Sequence, residues 1–136
     1  MKTLRIALSA VLLLAALTSF AQTKEGDTIA DVPFGFIAAE HNLPPGRYIV
    51  SRVNEFTLRI YNGPDHSVLV NTNKAQRSSN ESSSKLVFHR YGDTYFLSEV
   101  WVGSNPIGRE LAPSRHEREL AERTAEREIA VVRMSR

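Results

Sequence analysis

The chain reads as a mainly β protein: a small antiparallel β-sandwich or barrel of about seven to eight strands, with one C-terminal α-helix followed by a short strand. Three observations predict this. Apolar and polar residues alternate over short runs, the period-two pattern of half-buried strands. Glycine, proline, asparagine and aspartate cluster between those runs at a spacing of roughly 8–12 residues, which marks sandwiches and barrels. One late segment changes period and is preceded by a capping sequence.

Gln22 to Asp27 is a polar lead-in, and the strand pattern starts at Thr28. Ile29, Val32, Phe34, Phe36 and Ile37 make an apolar stretch that runs to Ala39. His41 to Gly46 is expected to turn, because Pro44 and Pro45 fix φ and Gly46 tolerates positive φ. Arg47 to Val53 is the next strand, with Tyr48 and Val50 on one side and Ile49 and Val53 on the other. Asn54-Glu55 turns the chain into Phe56–Tyr61, where Phe56, Leu58 and Ile60 share a face. Asn62-Gly63-Pro64-Asp65 is a further turn, and Ser67–Thr72 a short strand through Val68, Leu69 and Val70. Ala75 to Ser84 is almost wholly polar and is expected to be a mobile surface loop. Within it, Asn80-Glu81-Ser82 matches a glycosylation acceptor.

Lys85–Tyr91 and Thr94–Val102 form the clearest hairpin. Gly92-Asp93 supplies a two-residue loop with glycine first, which suits a type II′ turn. That loop pairs Phe88 with Leu97, Arg90 with Tyr95, Leu86 with Glu99, His89 with Phe96 and Val87 with Ser98. Trp101 then continues the Tyr95–Leu97 face as a core anchor. Ile107–Leu111 adds a short strand. Ser114 and Glu117 make a capping box in which each reaches the other's backbone, and the spacing predicts a helix over 114–127. Arg115–Glu119, Arg118–Glu122 and Glu119–Arg123 lie four apart on it. Its apolar stripe (Leu120, Ala121, Ala125) is thin, so it packs lightly or is shared with a partner. Residues 129–134 are β-branched and apolar and form the last strand. Residues 28–111 are thus the β-sheet body of a single domain spanning 22–136.

Residues 1–21 have the order of a cleavable signal peptide. Lys2 and Arg5 open it, Ile6–Leu17 is apolar, and Ser19-Phe20-Ala21 puts small residues where a signal peptidase inspects. A twelve-residue run, broken only by Ser9, reaches about 18 Å as a helix, against a hydrocarbon core of about 30 Å. Cleavage between Ala21 and Gln22 is therefore expected, with export to a periplasm or the medium and no stable membrane insertion afterwards. The chain carries 17 Lys+Arg and 15 Asp+Glu; loss of Lys2 and Arg5 leaves the charges balanced. Glutamates alternate with the arginines of the helix, so no stripe for nucleic acid is expected. There is no cysteine, so the fold rests on its core and no lipoprotein anchor is possible.

His41, His66, His89 and His116 lie too far apart for a local metal motif. No metal site and no cofactor is expected. Neither a nucleophile elbow nor a phosphate loop occurs, so no catalytic residue is assigned. Glu99 lies between Leu97 and Trp101 on an apolar face and needs a partner if that face is buried; Arg90 and Arg109 are the candidates. Arg90, Tyr95, Glu99 and Trp101 are the candidate ligand-binding residues.

Three stretches are familiar together: Val32–Phe36 with Leu43–Val50, then Lys85–Leu97, then Gly108–Leu111 with Ser114–Ala121. They resemble a family of short exported proteins of unknown function, abundant in soil bacteria. The resemblance covers most of the mature chain; it implies a signal peptide and a small β-domain, and no activity. The leading expectation is an exported, non-enzymatic β-domain that binds an unknown protein or small ligand, or supports an envelope assembly. A small barrel holding a hydrophobic or sugar-like ligand between aromatic strands is an alternative. A second is a hydrolase using two of Asp31, Glu40, Asp65, Asp93 and Glu99.

Overall fold

The computed structural model describes residues 27–124 and 126–136; the expected signal peptide and its Ala21–Gln22 junction lie outside them. The elements are β1 (Thr28–Val32), β2 (Phe36–Ala38), β3 (His41–Leu43), β4 (Gly46–Arg52), β5 (Thr57–Tyr61), β6 (Ser67–Asn71), β7 (Asn73–Gln76), β8 (Lys85–Tyr91), β9 (Thr94–Trp101), β10 (Ile107–Glu110), α1 (Arg115–Arg123) and β11 (Glu128–Ser135). The mainly β class, the late helix and the closing strand all match the sequence pattern.

Of sandwich and barrel, the sheet is a nearly closed barrel. Neighbours run β6–β5–β4–β1–β11–β8–β9, and β10 continues from β9 to β7. Only Thr72 separates β6 from β7, so one bent strand pairs with β5 by its first half and with β10 by its second. With that strand counted once, the ring is β1, β4, β5, β6–β7, β10, β9, β8 and β11, eight positions. β2 and β3 form a small flap on the edge of β9 opposite β8, beside β10, through a parallel bridge between Ile37 and Phe96.

Several boundaries differ from the sequence expectation. The apolar stretch from Thr28 to Ala39 breaks at Pro33–Gly35, because proline cannot donate to a ladder, and the chain crosses there from β1 to β2. His41–Leu43 is strand rather than turn. The reversal lies at Ala39-Glu40, with Ala39 at φ 56°. Ala75 and Gln76 belong to β7. The loop that follows is pinned: Arg77 donates to the carbonyls of Gly103 and Ser83, and the Ser84 hydroxyl accepts from the Gly103 amide. Phe56 precedes β5 and is exposed.

The β8–β9 hairpin keeps the predicted register from the turn to Phe88↔Leu97. Gly92 has φ +60° and Asp93 does not share it, as a type II′ turn requires. Beyond Phe88 a bulge at Ser98 shifts the pairing by one, giving Val87↔Glu99 and Leu86↔Val100. The predicted Leu86–Glu99 and Val87–Ser98 pairs are corrected accordingly. A bulge sends later side chains to the opposite face. Val100 therefore joins the core, and Trp101 lies with Glu99 on the outer face rather than continuing Tyr95 and Leu97.

The core is filled by Phe36, Tyr48, Ile60, Val70, Leu86, Phe88, Leu97 and Val100, among others. Phe36 meets Tyr48 and Phe88 edge-on at 5.2 and 5.3 Å, the geometry ring quadrupoles favour. Ser114 caps α1 by accepting from the Glu117 amide at 3.1 Å. The helix stops at Arg123, short of the predicted residue 127, and Thr124 is already extended. The chain must straighten there, since Glu128 pairs with Arg90 as β11 enters the sheet. β11 is correspondingly longer than the predicted 129–134.

Candidate functional site

Three local structures meet at one end of the barrel. The first is the β4–β5 turn, where the Asn54 side-chain oxygen accepts from the amides of Phe56 and Thr57, both at 2.9 Å. This side-chain-closed turn presents Glu55. The second is the β7–β10 pair, whose register sets Lys74 opposite Arg109. The third is the end of β9: Arg109 pairs with Val100. Directly opposed residues share a face, so Arg109 lies on the interior side with the core residue Val100.

These elements enclose a cleft of about 380 Å³ between the two halves of the barrel. Val50, Leu58, Val100, Val102 and Ile107 form its apolar wall, and Arg52, Lys74, Arg109 and Glu55 supply its charge. Three cations thus face one carboxylate. Glu55 pairs with Lys74 at 2.5 Å, both side chains half exposed. That bond, with the Lys74 charge and smaller effects of Arg109 and Arg52, lowers the Glu55 carboxyl below the usual range. Arg109 is different. Burial lowers its guanidinium from the ordinary arginine value, and Arg52 adds to the effect. Its Nη1 is sealed from solvent and has no hydrogen-bond partner. A buried guanidinium nitrogen with an open donor is costly, and the Arg52 charge nearby adds like-charge repulsion.

The cleft can therefore take an anionic group against Arg109 and an apolar group against Val102 and Ile107. Its volume is at the lower end of small-molecule sites. Sequence reasoning missed most of it. Arg109 is named only as a partner for Glu99, whereas the two point to opposite faces. The signal, a lysine and an arginine meeting across two strands, appears only once Asn73–Gln76 is known to pair with β10.

The four sequence-predicted binding residues separate into two pairs. Arg90 lies 5.4 Å from the Tyr95 ring centre and donates to the Gly92 carbonyl. Tyr95 stacks on Phe34 at 3.8 Å. Glu99 instead accepts from the Trp101 indole N–H at 2.7 Å. Four residues along a strand separate the pairs by about 13 Å, and the bulge puts them on opposite faces. Trp101 sits between Gly108 and the Arg77 guanidinium, which is 5.1 Å from its ring centre. The carboxylates are dispersed too: Asp31 is held by Arg47 at 2.8 Å, and Glu40, Asp65 and Asp93 are exposed at separate turns.

On the outer face of β8, a second polar cluster forms. Glu117 of α1, buried at 5% exposure, meets His89 Nδ1 at 2.6 Å and accepts from the Tyr91 hydroxyl at 3.2 Å. The capping box is thus half formed: Ser114 caps as predicted, and the Glu117 carboxylate turns inward instead of back. No group of metal-ligating side chains occurs among the described residues.

No protein-family model, curated protein or solved structure matches this chain.

Proposed function

We propose that the chain is an exported, non-enzymatic binding domain whose ligand is a small amphiphile with an anionic head, received at the barrel mouth. The observation that carries this is the unpartnered, buried Nη1 of Arg109 in a cleft with an apolar wall and a surplus of positive charge. An anion there satisfies the open donor and relieves the repulsion between Arg109 and Arg52. The apolar part covers Ile107 and the half-buried Val102 and removes their surface from water. This departs from the alternative of a ligand held between aromatic strands, because the aromatic interior is filled.

Octanoate is the probe, with octanol and inorganic phosphate as its two halves. Calorimetric titration is expected to give the tightest binding for octanoate, and Arg109→Met to remove it while leaving the fold intact. Equal binding of octanoate by Arg109→Met and the parent, or none by the parent at millimolar concentration, overturns the reading. Export rests on the charged start, the apolar run and the small residues ahead of Gln22. Protein recovered from its own host is expected to have a mass beginning at Gln22, and a full-length mass would refute export.

A further inference from the structure

Resting on that reading, we infer that Glu55 is an internal stand-in for the ligand's head group, and that the ligand is a carboxylate that enters by displacing the Glu55 side chain from the mouth. Glu55 is the one carboxylate among the residues lining the cleft, and it faces Arg52, Lys74 and Arg109. From the β4–β5 turn it pairs with Lys74 on β7, which the Thr72–Phe56 bond holds beside that turn. That ion pair partly neutralises the charge that would otherwise attract anions.

The geometry assigns the movement to the side chain and not to the turn. The Asn54 side chain holds two amides of the turn, the Val53 amide donates to the Thr57 carbonyl at 3.0 Å, and the Thr72 amide donates to Phe56 at 2.7 Å. The backbone under Glu55 is thereby fixed on both sides. The Glu55 carboxylate, by contrast, is half exposed. Exposed ion pairs are weak because water replaces them, so swinging Glu55 outward costs little. Once it has left, Lys74 is without its partner and the positive charge of Arg52, Lys74 and Arg109 in the cleft is unopposed. Glu55 also cannot satisfy the buried Arg109 donor itself, since its contact is with Lys74 while Arg109 Nη1 stays unpartnered. A ligand able to reach both cations makes the bond that Glu55 does not.

The test compares octanoate binding to the parent, Glu55→Gln, Glu55→Ala and Arg109→Met by calorimetry, each variant checked for an unchanged β-sheet circular dichroism spectrum. Both Glu55 variants are expected to bind octanoate about tenfold more tightly, a factor equivalent to ~1.4 kcal/mol, with octanol affinity unchanged. If Arg109→Met loses octanoate while both Glu55 variants bind it no better than the parent, the stand-in role is refuted and the binding site stands. If Arg109→Met binds octanoate as the parent does, the site itself is refuted, and this inference with it. A tenfold gain for octanol as well would also refute the stand-in role, because it would show steric unblocking without charge competition.

Discussion

At Gly108 a side chain has no room. A Cβ built there would lie 2.4 Å from Cε3 of the Trp101 indole, far inside van der Waals contact. The indole is fixed from the other side by Arg77 and by its bond to Glu99, so it cannot withdraw cheaply. Gly108→Ala should therefore cost about 1–3 kcal/mol, the usual penalty of overpacking, read as a lower urea midpoint. Gly108→Ala with Trp101→Leu should recover part of the loss, and the absence of recovery would show that the indole is not the obstacle. The glycine's role is invisible in the chain, where Gly108 is just a small residue between Ile107 and Arg109. It follows from the bulge at Ser98, which turns Trp101 onto Gly108's face. Glu81 gives a second prediction at this scale. Hydrogen bonds from Lys85 and Ser83 hold its carboxyl down to about 2, against an ordinary value of 4.5. A folded value below the unfolded one stabilises the protein above the unfolded value, and the benefit is lost as pH falls from 4.5 toward 2. A carbon-detected NMR titration should find Glu81 titrating well below the free residue, and Lys85→Met should move it upward.

The helix shows how a single element divides into legible and illegible parts. Its start is legible because capping is local: Ser114 and the Glu117 amide are three residues apart, and the bond between them forms as expected. The helix end and the Glu117 carboxylate are not, since both answer to distant strands. β11 must reach Arg90, which ends the helix at Arg123, and His89 and Tyr91 wait beneath the first turn. Glu117 is the sole buried residue of α1, so the helix is fixed to the sheet through a polar key and little apolar area. Burial pushes the Tyr91 hydroxyl up from its ordinary value, and the Glu117 charge adds to it. Tyr91 therefore remains a donor to Glu117 at neutral pH. Glu117→Ala strands both the His89 nitrogen and the Tyr91 hydroxyl, each worth about 1–3 kcal/mol when left unsatisfied under cover. Its amide exchange over Arg115–Arg123 should accelerate far more than exchange in β4 and β5. Equal acceleration throughout would mean that the helix is not a separately docked element.

Across the whole molecule, the mainly β class was legible because strand period and turn chemistry repeat along the chain, whereas the choice of barrel over sandwich, its closure and the binding cleft were not. Closure depends on one residue. Thr72 lets a single strand serve β5 and then β10, and the polar sequence after it reads as loop because β7 exposes most of its side chains. The cleft inherits that obscurity, since Lys74 and Arg109 meet only through the β7–β10 pair. The buried Thr72 hydroxyl donates to the Phe56 carbonyl at 2.9 Å, and its amide donates to the same oxygen at 2.7 Å. Both bonds tie the bend to the β4–β5 turn that carries Glu55. Thr72→Val keeps the shape and the amide bond and removes the hydroxyl, so the loss should be modest, about 0.5–1.5 kcal/mol. Its distribution is the sharper test. If Thr72 is the closing point, amide exchange should rise in β7 and β10, while the β1–β4–β5 pairing, held by its own continuous ladder, stays near its parent rates. The variant should also bind octanoate less tightly, because loosening β7 moves Lys74 away from Arg109. Faster exchange in β1 and β4 with β7 unchanged would place the weak point of the ring elsewhere, at the two-residue β1–β11 pairing.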